Sequence, residues 1–214
     1  MTTTRGRLVA LEGIDGCGKS TQTRMLVERL GFDSDLAPVA TFEPGATPLG
    51  ASLRGLLLSR DGAPVAPRAE ALLMAADRAQ HVAEVIAPAI EAGQWVVTDR
   101  YSASTLTYQG YGRGLDLMEL EEIVGWATGG LRPDLTVLFD LPVSVAAARR
   151  QGDGDDRMEA EGLAFQQRVA DGFLALAARG PDPWLVVDAT DPVELVASTV
   201  WDAVKLLAGP GGPP

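Results

Sequence analysis

The run Gly13-Ile14-Asp15-Gly16-Cys17-Gly18-Lys19-Ser20 fits the pattern G-x-x-x-x-G-K-[ST]. It stands between a short apolar segment, Leu8-Val9-Ala10-Leu11, and a helix-forming stretch from Thr21 to Leu30. Strand, glycine-rich loop and helix in that order commit the chain to a β-loop-α unit, and that unit has a chemistry. The glycines let successive backbone N–H groups turn inward. The helix N-terminus adds partial positive charge at the same place. The result is a cradle for phosphate, from which Lys19 would reach β- and γ-phosphates and the Ser20 hydroxyl would ligate Mg²⁺. The competing reading is a glycine-rich turn that binds nothing, and the intact order of strand, loop, Lys-Ser and helix argues against it.

Composition narrows the partners. The chain of 214 residues has 18 Lys+Arg against 29 Asp+Glu, a formal net charge of −11. Such a charge argues against nucleic acid or an anionic membrane as the main partner, so anionic ligands must be held by local cationic pockets. Lys19 and Lys205 are the only lysines. A sequence that otherwise writes its cations as Arg keeps a compact ammonium in the phosphate loop, where a planar guanidinium fits less well. Cys17 is the only cysteine. No internal disulfide is possible, and a reducing, cytoplasmic location is expected. No apolar run has the length of a membrane span, and no signal-peptide pattern is present.

Short apolar runs alternate with helical patterns. Strands are expected at Leu8–Leu11, Pro38–Thr41, Trp95–Thr98, Leu135–Phe139 and Trp184–Val187. Helices are expected at Lys19–Leu30, Leu49–Leu58, Arg68–Ala92, Leu117–Ala127, Val143–Arg150, Ala160–Ala178 and Val193–Leu207, with Pro88 kinking or splitting the third. The fold class is α/β: a five-stranded parallel sheet, buried, with helices on both faces. One domain is expected over residues 1–208, followed by a disordered Gly/Pro tail, 209–214.

In open α/β sheets ligands bind beyond the carboxyl ends of the strands. Four of the five expected strands end at or next to a carboxylate, which makes one edge of the sheet a polar rim. Asp99-Arg100-Tyr101 follows the third strand. Asp99 is placed to hold Mg²⁺, directly or through water, and Arg100 to grip a phosphate bidentately. Alone, the pair would read as a surface ion pair; beside a phosphate loop it reads as function. Asp77-Arg78 lies in an apolar helical pattern, where Arg78 either reaches water or donates to a ligand. Arg149, Arg150 and Arg157 bracket the polar segment Gln151-Gly152-Asp153-Gly154-Asp155-Asp156, which reads as a short lid over residues 149–158. His81, the only histidine, is expected on the helix surface. A thiol at Cys17, at a helix N-terminus beside Lys19, could have a lowered pKa and be open to oxidation or alkylation, against a plainer reading as a small inert side chain.

Taken together these residues resemble the thymidylate kinases, a family of nucleoside-monophosphate kinases with the P-loop NTPase fold. The resemblance runs collinearly from about residue 8 to the last helix. It rests on Glu12 to Thr21, Glu43-Pro44-Gly45, Leu53-Arg54, Asp77-Arg78, Asp99-Arg100-Tyr101, Ser104-Thr105, Tyr108-Gln109-Gly110, Gly112-Arg113-Gly114, Arg132-Pro133-Asp134-Leu135, Asp156-Arg157 and Asp188-Ala189-Thr190. It implies ATP as phosphoryl donor and dTMP as acceptor, with Mg²⁺. It implies that Gly13, Ile14, Asp15, Gly16, Cys17, Gly18, Lys19, Ser20 and Thr21 bind ATP and that Ser20 and Asp99 serve the metal. Asp15 would lie beside the deoxyribose 3′-hydroxyl, Arg54 and Arg100 would hold the acceptor phosphate, and Arg78 would donate to a thymine carbonyl. Thr105 and Gln109 would face the base, and Tyr108 would crowd out a 2′-hydroxyl. Lys19, Arg100, Arg150 and Arg157 would carry catalysis. Gly16, where other members carry Arg, implies a lid that supplies the arginine. A homodimer is also implied.

Two departures stand out. Met74 occupies the place where the family commonly has a Phe stacked on thymine, and a thioether offers a ring less area. Phe42 precedes Glu43 where related chains often have Arg. Two other readings share part of this pattern: a kinase for another monophosphate or small-molecule acceptor, and a nucleotide-binding regulator that transfers nothing. The chain has no Asn, so the Asn-Lys-x-Asp motif of GTPases is absent.

Overall fold

All five expected strands pair in one sheet. The computed structural model describes residues 5–33, 36–59, 62–150, 158, 161–180 and 182–208. The strands are β1 (Leu8–Glu12), β2 (Val39–Phe42), β3 (Val96–Asp99), β4 (Leu135–Asp140) and β5 (Trp184–Asp188). Their order is β2-β3-β1-β4-β5, and every neighbouring pair is parallel. Each strand ends one residue later than its apolar run, because the ladder continues past it: Leu11 and Phe42 both pair with Asp99, and Asp140 pairs with Asp188. The polar rim is therefore part of the sheet itself.

The strand at the centre explains the near-continuous apolar pattern. Val9 and Leu11 join the larger core, with Leu26 and Leu30 of α1 (Lys19–Asp33), Phe173 of α8 (Leu163–Ala178) and Trp201 of α9 (Val193–Leu207). Leu8 and Ala10 join the second core, with Val82, Ile86 and Ile90. Both faces of β1 are covered, as a parallel sheet requires.

Local chemistry sets the helix ends. Thr47 caps α2 (Pro48–Leu58) by accepting from Gly50 N, and Pro48 fills the first turn, where no N–H is needed. Asp116 caps α6 (Leu117–Ala127) through Met118 N and Glu119 N. One expectation is refined, and one helical segment lies outside what was expected. The long third helix is α3 (Pro67–His81), a π-helical turn (Val82–Ile86) and α4 (Ala87–Glu91) in succession. Pro88 has no N–H to give, and the π turn just before it shifts the bonding so that Ala87 N reaches Val82 O. A helical segment not expected from periodicity, α5 (Ser102–Thr105) and a second π turn (Leu106–Gly112), follows β3. The final short helix before the lid is α7 (Val143–Arg149). The expected lid, 149–158, falls mostly outside the described residues, as does the expected tail 209–214.

Candidate active site

The loop from β1 to α1 has the backbone the sequence requires: Gly13, Gly16 and Gly18 have φ of 141°, 88° and 99°. At Gly16 space adds a second reason. A Cβ there would stand 2.5 Å from Ala146 O and 3.1 Å from Cγ of Arg150. The position is empty of side chain, and the stem of Arg150, from the end of α7, lies over it. Ser20 Oγ donates to Asp99 Oδ2 at 3.1 Å, so the two oxygens expected to serve the metal are adjacent. Lys19 is buried and its Nζ turns back on the loop, donating to Gly13 O at 3.1 Å and Ile14 O at 3.2 Å. These carbonyls hold the ammonium where phosphate oxygens would replace them.

Arg100 is the hub. It is the one non-glycine residue among those described with a positive φ, 73°. Such a conformation costs energy and persists only where its surroundings fix it. They do so here. Its Nη1 donates to Gly13 O at 3.2 Å and Ser104 Oγ at 2.9 Å. Its Nη2 donates to Asp15 Oδ1 at 2.5 Å and Tyr108 Oη at 3.1 Å. Beneath it the buried Glu12 accepts from Tyr101 N, Ser104 N and Ser104 Oγ. Burial pushes the Glu12 carboxyl up despite those donors and the charge of Arg100. Burial would also raise Asp15, but Arg100 and Lys19 outweigh it and hold that carboxyl well below the usual carboxylate range. Burial would lower the Arg100 guanidinium, yet Asp15, Tyr108 and Asp99 keep it charged. Glu12 stands in the rim read from the sequence but was not among the candidate site residues. Its signal was a carboxylate placed directly before the loop.

Two pockets meet at this hub. The first, about 990 Å³, is lined by Asp15, Gly16, Gly18, Lys19, Ser20 and Thr21, together with Asp99, Arg100 and Arg149. The second, about 90 Å³, is lined by Met74, Arg78, Ser104, Thr105, Tyr108 and Gln109. It is smaller than the ~300–1,000 Å³ of typical small-molecule sites, and three of its lining residues, Arg100, Asp15 and Tyr108, bond one another. Asp15, Glu43, Arg54 and Arg100 border both pockets. Arg54 is steadied by donation from its Nη1 to Pro44 O at 2.8 Å.

The floor of the second pocket is a buried polar network. Arg78 donates from Nε to Glu43 Oε2 at 2.8 Å, from Nη1 to Thr105 Oγ1 at 2.9 Å and from Nη2 to Tyr101 O at 2.9 Å. It is neither a snorkelling nor an exposed arginine. His81 corrects an expectation: it is buried at 1% exposure, with Nδ1 2.9 Å from Glu43 Oε1 and Nε2 2.6 Å from Thr41 Oγ1. His81 falls on the inner side of its helical turn, where Thr41 of β2 and Glu43 just after it take both ring nitrogens, while Ala83 and Glu84 keep the outer side exposed. Gln109 donates from Nε2 to Glu70 Oε1 at 2.9 Å.

The reactive-thiol reading of Cys17 is also corrected. The thiol points into the core, where a Cβ on Gly13 would stand 2.8 Å from its Sγ, and burial pushes its pKa up despite Lys19 at 3.7 Å. A buried, protonated thiol is inert. Iodoacetamide under native conditions is expected to leave Cys17 unmodified by mass spectrometry and activity unchanged; rapid, complete alkylation would contradict this. Arg150 lies at the loop as described, while Arg157 lies outside the described residues.

The chain is similar to known proteins over most of its length. A family model described as "Thymidylate kinase" matches residues 11–200. A thymidylate kinase of Parasynechococcus marenigrum (strain WH8102) is 50% identical over 198 residues, covering 90% of this chain and 93% of that protein. One from Cupriavidus necator is 46% identical over 205 residues, covering 92% of this chain and all of its own length, 100%. The crystal structure of thymidylate kinase from Ehrlichia chaffeensis superposes with a TM-score of 0.77 at 28% identity, covering 94% of this chain and 99% of that one.

Proposed function

The chain belongs to the thymidylate kinase family, and from that premise we propose how it transfers the γ-phosphoryl group of ATP to dTMP, giving ADP and dTDP. One observation carries the reading: the loop cleft and the Arg78 pocket are separate spaces with a common wall of Asp15, Glu43, Arg54 and Arg100. A donor in the first and an acceptor in the second would meet phosphate to phosphate at that wall.

The backbone from Gly13 to Thr21 cradles the donor's phosphates, and Lys19 leaves its two carbonyls for phosphate oxygens. Arg100 and Arg54 take the acceptor phosphate. Arg100 is already charged and splayed over four acceptors, so a phosphate there exchanges partners rather than creating a site. Asp15 and Tyr108 flank the sugar, and the buried Tyr108 ring leaves little room for a 2′-hydroxyl. Arg78, Thr105 and Gln109 face the base, with Met74 on its ring face. The acceptor is already an anionic oxygen nucleophile, so no general base is needed and catalysis is alignment plus electrostatics. Arg150 neutralises charge on the transferring group from the α7 side, which the bare Gly16 position permits, and Arg157, outside the described residues, is assigned the same charge role.

Ser20 Oγ and Asp99 Oδ2 are hard oxygen donors 3.1 Å apart beside the loop, and they fit Mg²⁺ held by few protein oxygens and completed by phosphates. Bound there, Mg²⁺ would offset charge across the β- and γ-phosphates. We propose a homodimer: α2 and α6 both pack on α3, and the three helices present Leu56, Leu72, Met118 and Trp126 to solvent. None of the described helices is long and apolar enough to cross a membrane. With its single cysteine, the protein is proposed to work in the cytoplasm.

ADP release from ATP, followed with a panel of nucleoside and deoxynucleoside monophosphates, tests the reading. The expected result is turnover that requires an acceptor and is fastest with dTMP. A faster different acceptor would make it a sibling kinase, and a nucleotide response indifferent to acceptor would make it a regulator.

A further inference from the structure

Gln109 is 1% exposed, and its amide could in principle present either end to a base. A carbonyl oxygen facing the second pocket would accept from a ring N–H. An NH₂ group facing it would donate to a bare ring nitrogen. The two ends therefore select opposite bases: thymine carries an N–H where cytosine carries a lone pair.

The choice is made behind the pocket. Gln109 Nε2 donates to Glu70 Oε1 at 2.9 Å. Glu70 is itself fully buried, at 0% exposure, on the first turns of α3. Arg113 grips both of its oxygens, with Nε on Oε1 at 3.2 Å and Nη2 on Oε2 at 3.2 Å. A carboxylate paired in this way only accepts. The NH₂ end of Gln109 is thus drawn toward Glu70, and among the described residues the carbonyl end accepts no protein hydrogen bond. Gln109 borders the pocket, so that oxygen is the group left for a ligand. Turning the amide over would set its oxygen against a carboxylate oxygen in a buried site, which is strongly unfavourable.

We infer that Glu70, clamped by Arg113, is a positioning residue that fixes the polarity of the Gln109 amide and so makes the acceptor pocket read the ring N–H of thymine and reject cytosine. The inference rests on dTMP being the acceptor, as proposed above. Glu70 touches no substrate; it acts through Gln109. Among the described residues, Glu70 is the one group hydrogen-bonded to the Gln109 side-chain amide, while Thr105 and Arg78 are bonded to each other. A Gln at position 70 offers an NH₂ as well as an oxygen, so Gln109 becomes free to turn.

The test compares dTMP and dCMP as acceptors, by kcat and KM, for wild type, E70Q and the exchange variant E70Q/Q109E, each checked for folding by circular dichroism. For folded E70Q the dTMP-over-dCMP ratio in kcat/KM is expected to fall at least about tenfold. The loss should come through KM for dTMP, with kcat within about threefold of wild type. The exchange variant should recover the thymine preference, because a carboxylate at position 109 can only accept. A role confined to holding Arg113 would move stability without moving this ratio. An unchanged ratio in folded E70Q overturns the inference. If E70Q does not fold, E70D keeps the charge for Arg113 but shortens the reach to Gln109; a fallen ratio supports the inference and an unchanged one overturns it. Wild type inactive on dTMP would overturn the proposed acceptor, whereas a wild-type thymine preference that survives in the variants would overturn Glu70 alone.

Discussion

Lys19→Ala is expected to lower kcat by at least about 10²–10³-fold, the cost of removing one preorganised charge from a developing anion. The fold should survive. The Lys19 ammonium donates to two carbonyls of its own loop, Gly13 O and Ile14 O. Losing those bonds costs about 1 kcal/mol, or roughly 2–4 °C in Tm for a chain of this size. ADP-release kinetics and a thermal melt on the same preparation check both halves. A near-normal kcat would remove Lys19 from the mechanism, and a collapsed melt would make its role structural. Lys19→Arg should rescue little, because a planar fork does not fit where a compact ammonium bridges two carbonyls.

Arg100→Ala is the second large effect, and it should act on activity and stability together. The guanidinium serves four acceptors from two nitrogens. Its removal strips the acceptor phosphate of its main cation, so kcat/KM for dTMP should fall by about 10³-fold. It also leaves Asp15 and Glu12 without their shared counter-charge. Stability should drop by about 2 kcal/mol, less than for a fully buried pair because the Asp15 side chain keeps 29% exposure. Arg100→Lys separates the two effects: the charge returns and stability with it, but one ammonium cannot span four acceptors, so activity stays low. Equal recovery of both by Lys would show that Arg100 supplies only charge. Steady-state kinetics and denaturant melts of the two variants decide it.

Much of this molecule was legible in its sequence because the physics was local. A parallel sheet covered on both faces writes its strands as apolar runs, and all five were found; two helices, Leu117–Ala127 and Val193–Leu207, fell on their expected bounds. The segment Ser102–Gly112 was not read as helical because no apolar stripe marks it. Its helicity comes from contact with α8: a Cβ on Gly112 would stand 2.7 Å from the Phe165 ring. A glycine that lowers helix propensity is there so that another element can approach. The motif residues Lys19, Ser20, Asp99 and Arg100 came together because fixed spacing puts them at or just beyond the ends of β1 and β3, and Arg78 reaches the same place from α3. The residues that orient them did not announce themselves. Glu43, Glu70 and His81 are polar groups deep in the molecule, and in a linear sequence they look like ordinary surface charges on helices and loops. Only the folded chain brings His81 to Thr41 and Glu43 at the end of β2, and the packing of α3 against the second π turn sets Glu70 behind Gln109.

The central claim is that two phosphates meet across one wall and the γ-phosphoryl group passes directly between them, with no side chain taking it on the way. Stereochemistry at phosphorus tests this most directly. With ATP made chiral at the γ-phosphorus by oxygen isotopes, and dTMP as acceptor, the account predicts inversion of configuration in the dTDP formed, the result of a single in-line displacement. Retention would mean two displacements through a phosphorylated side chain, and would contradict it.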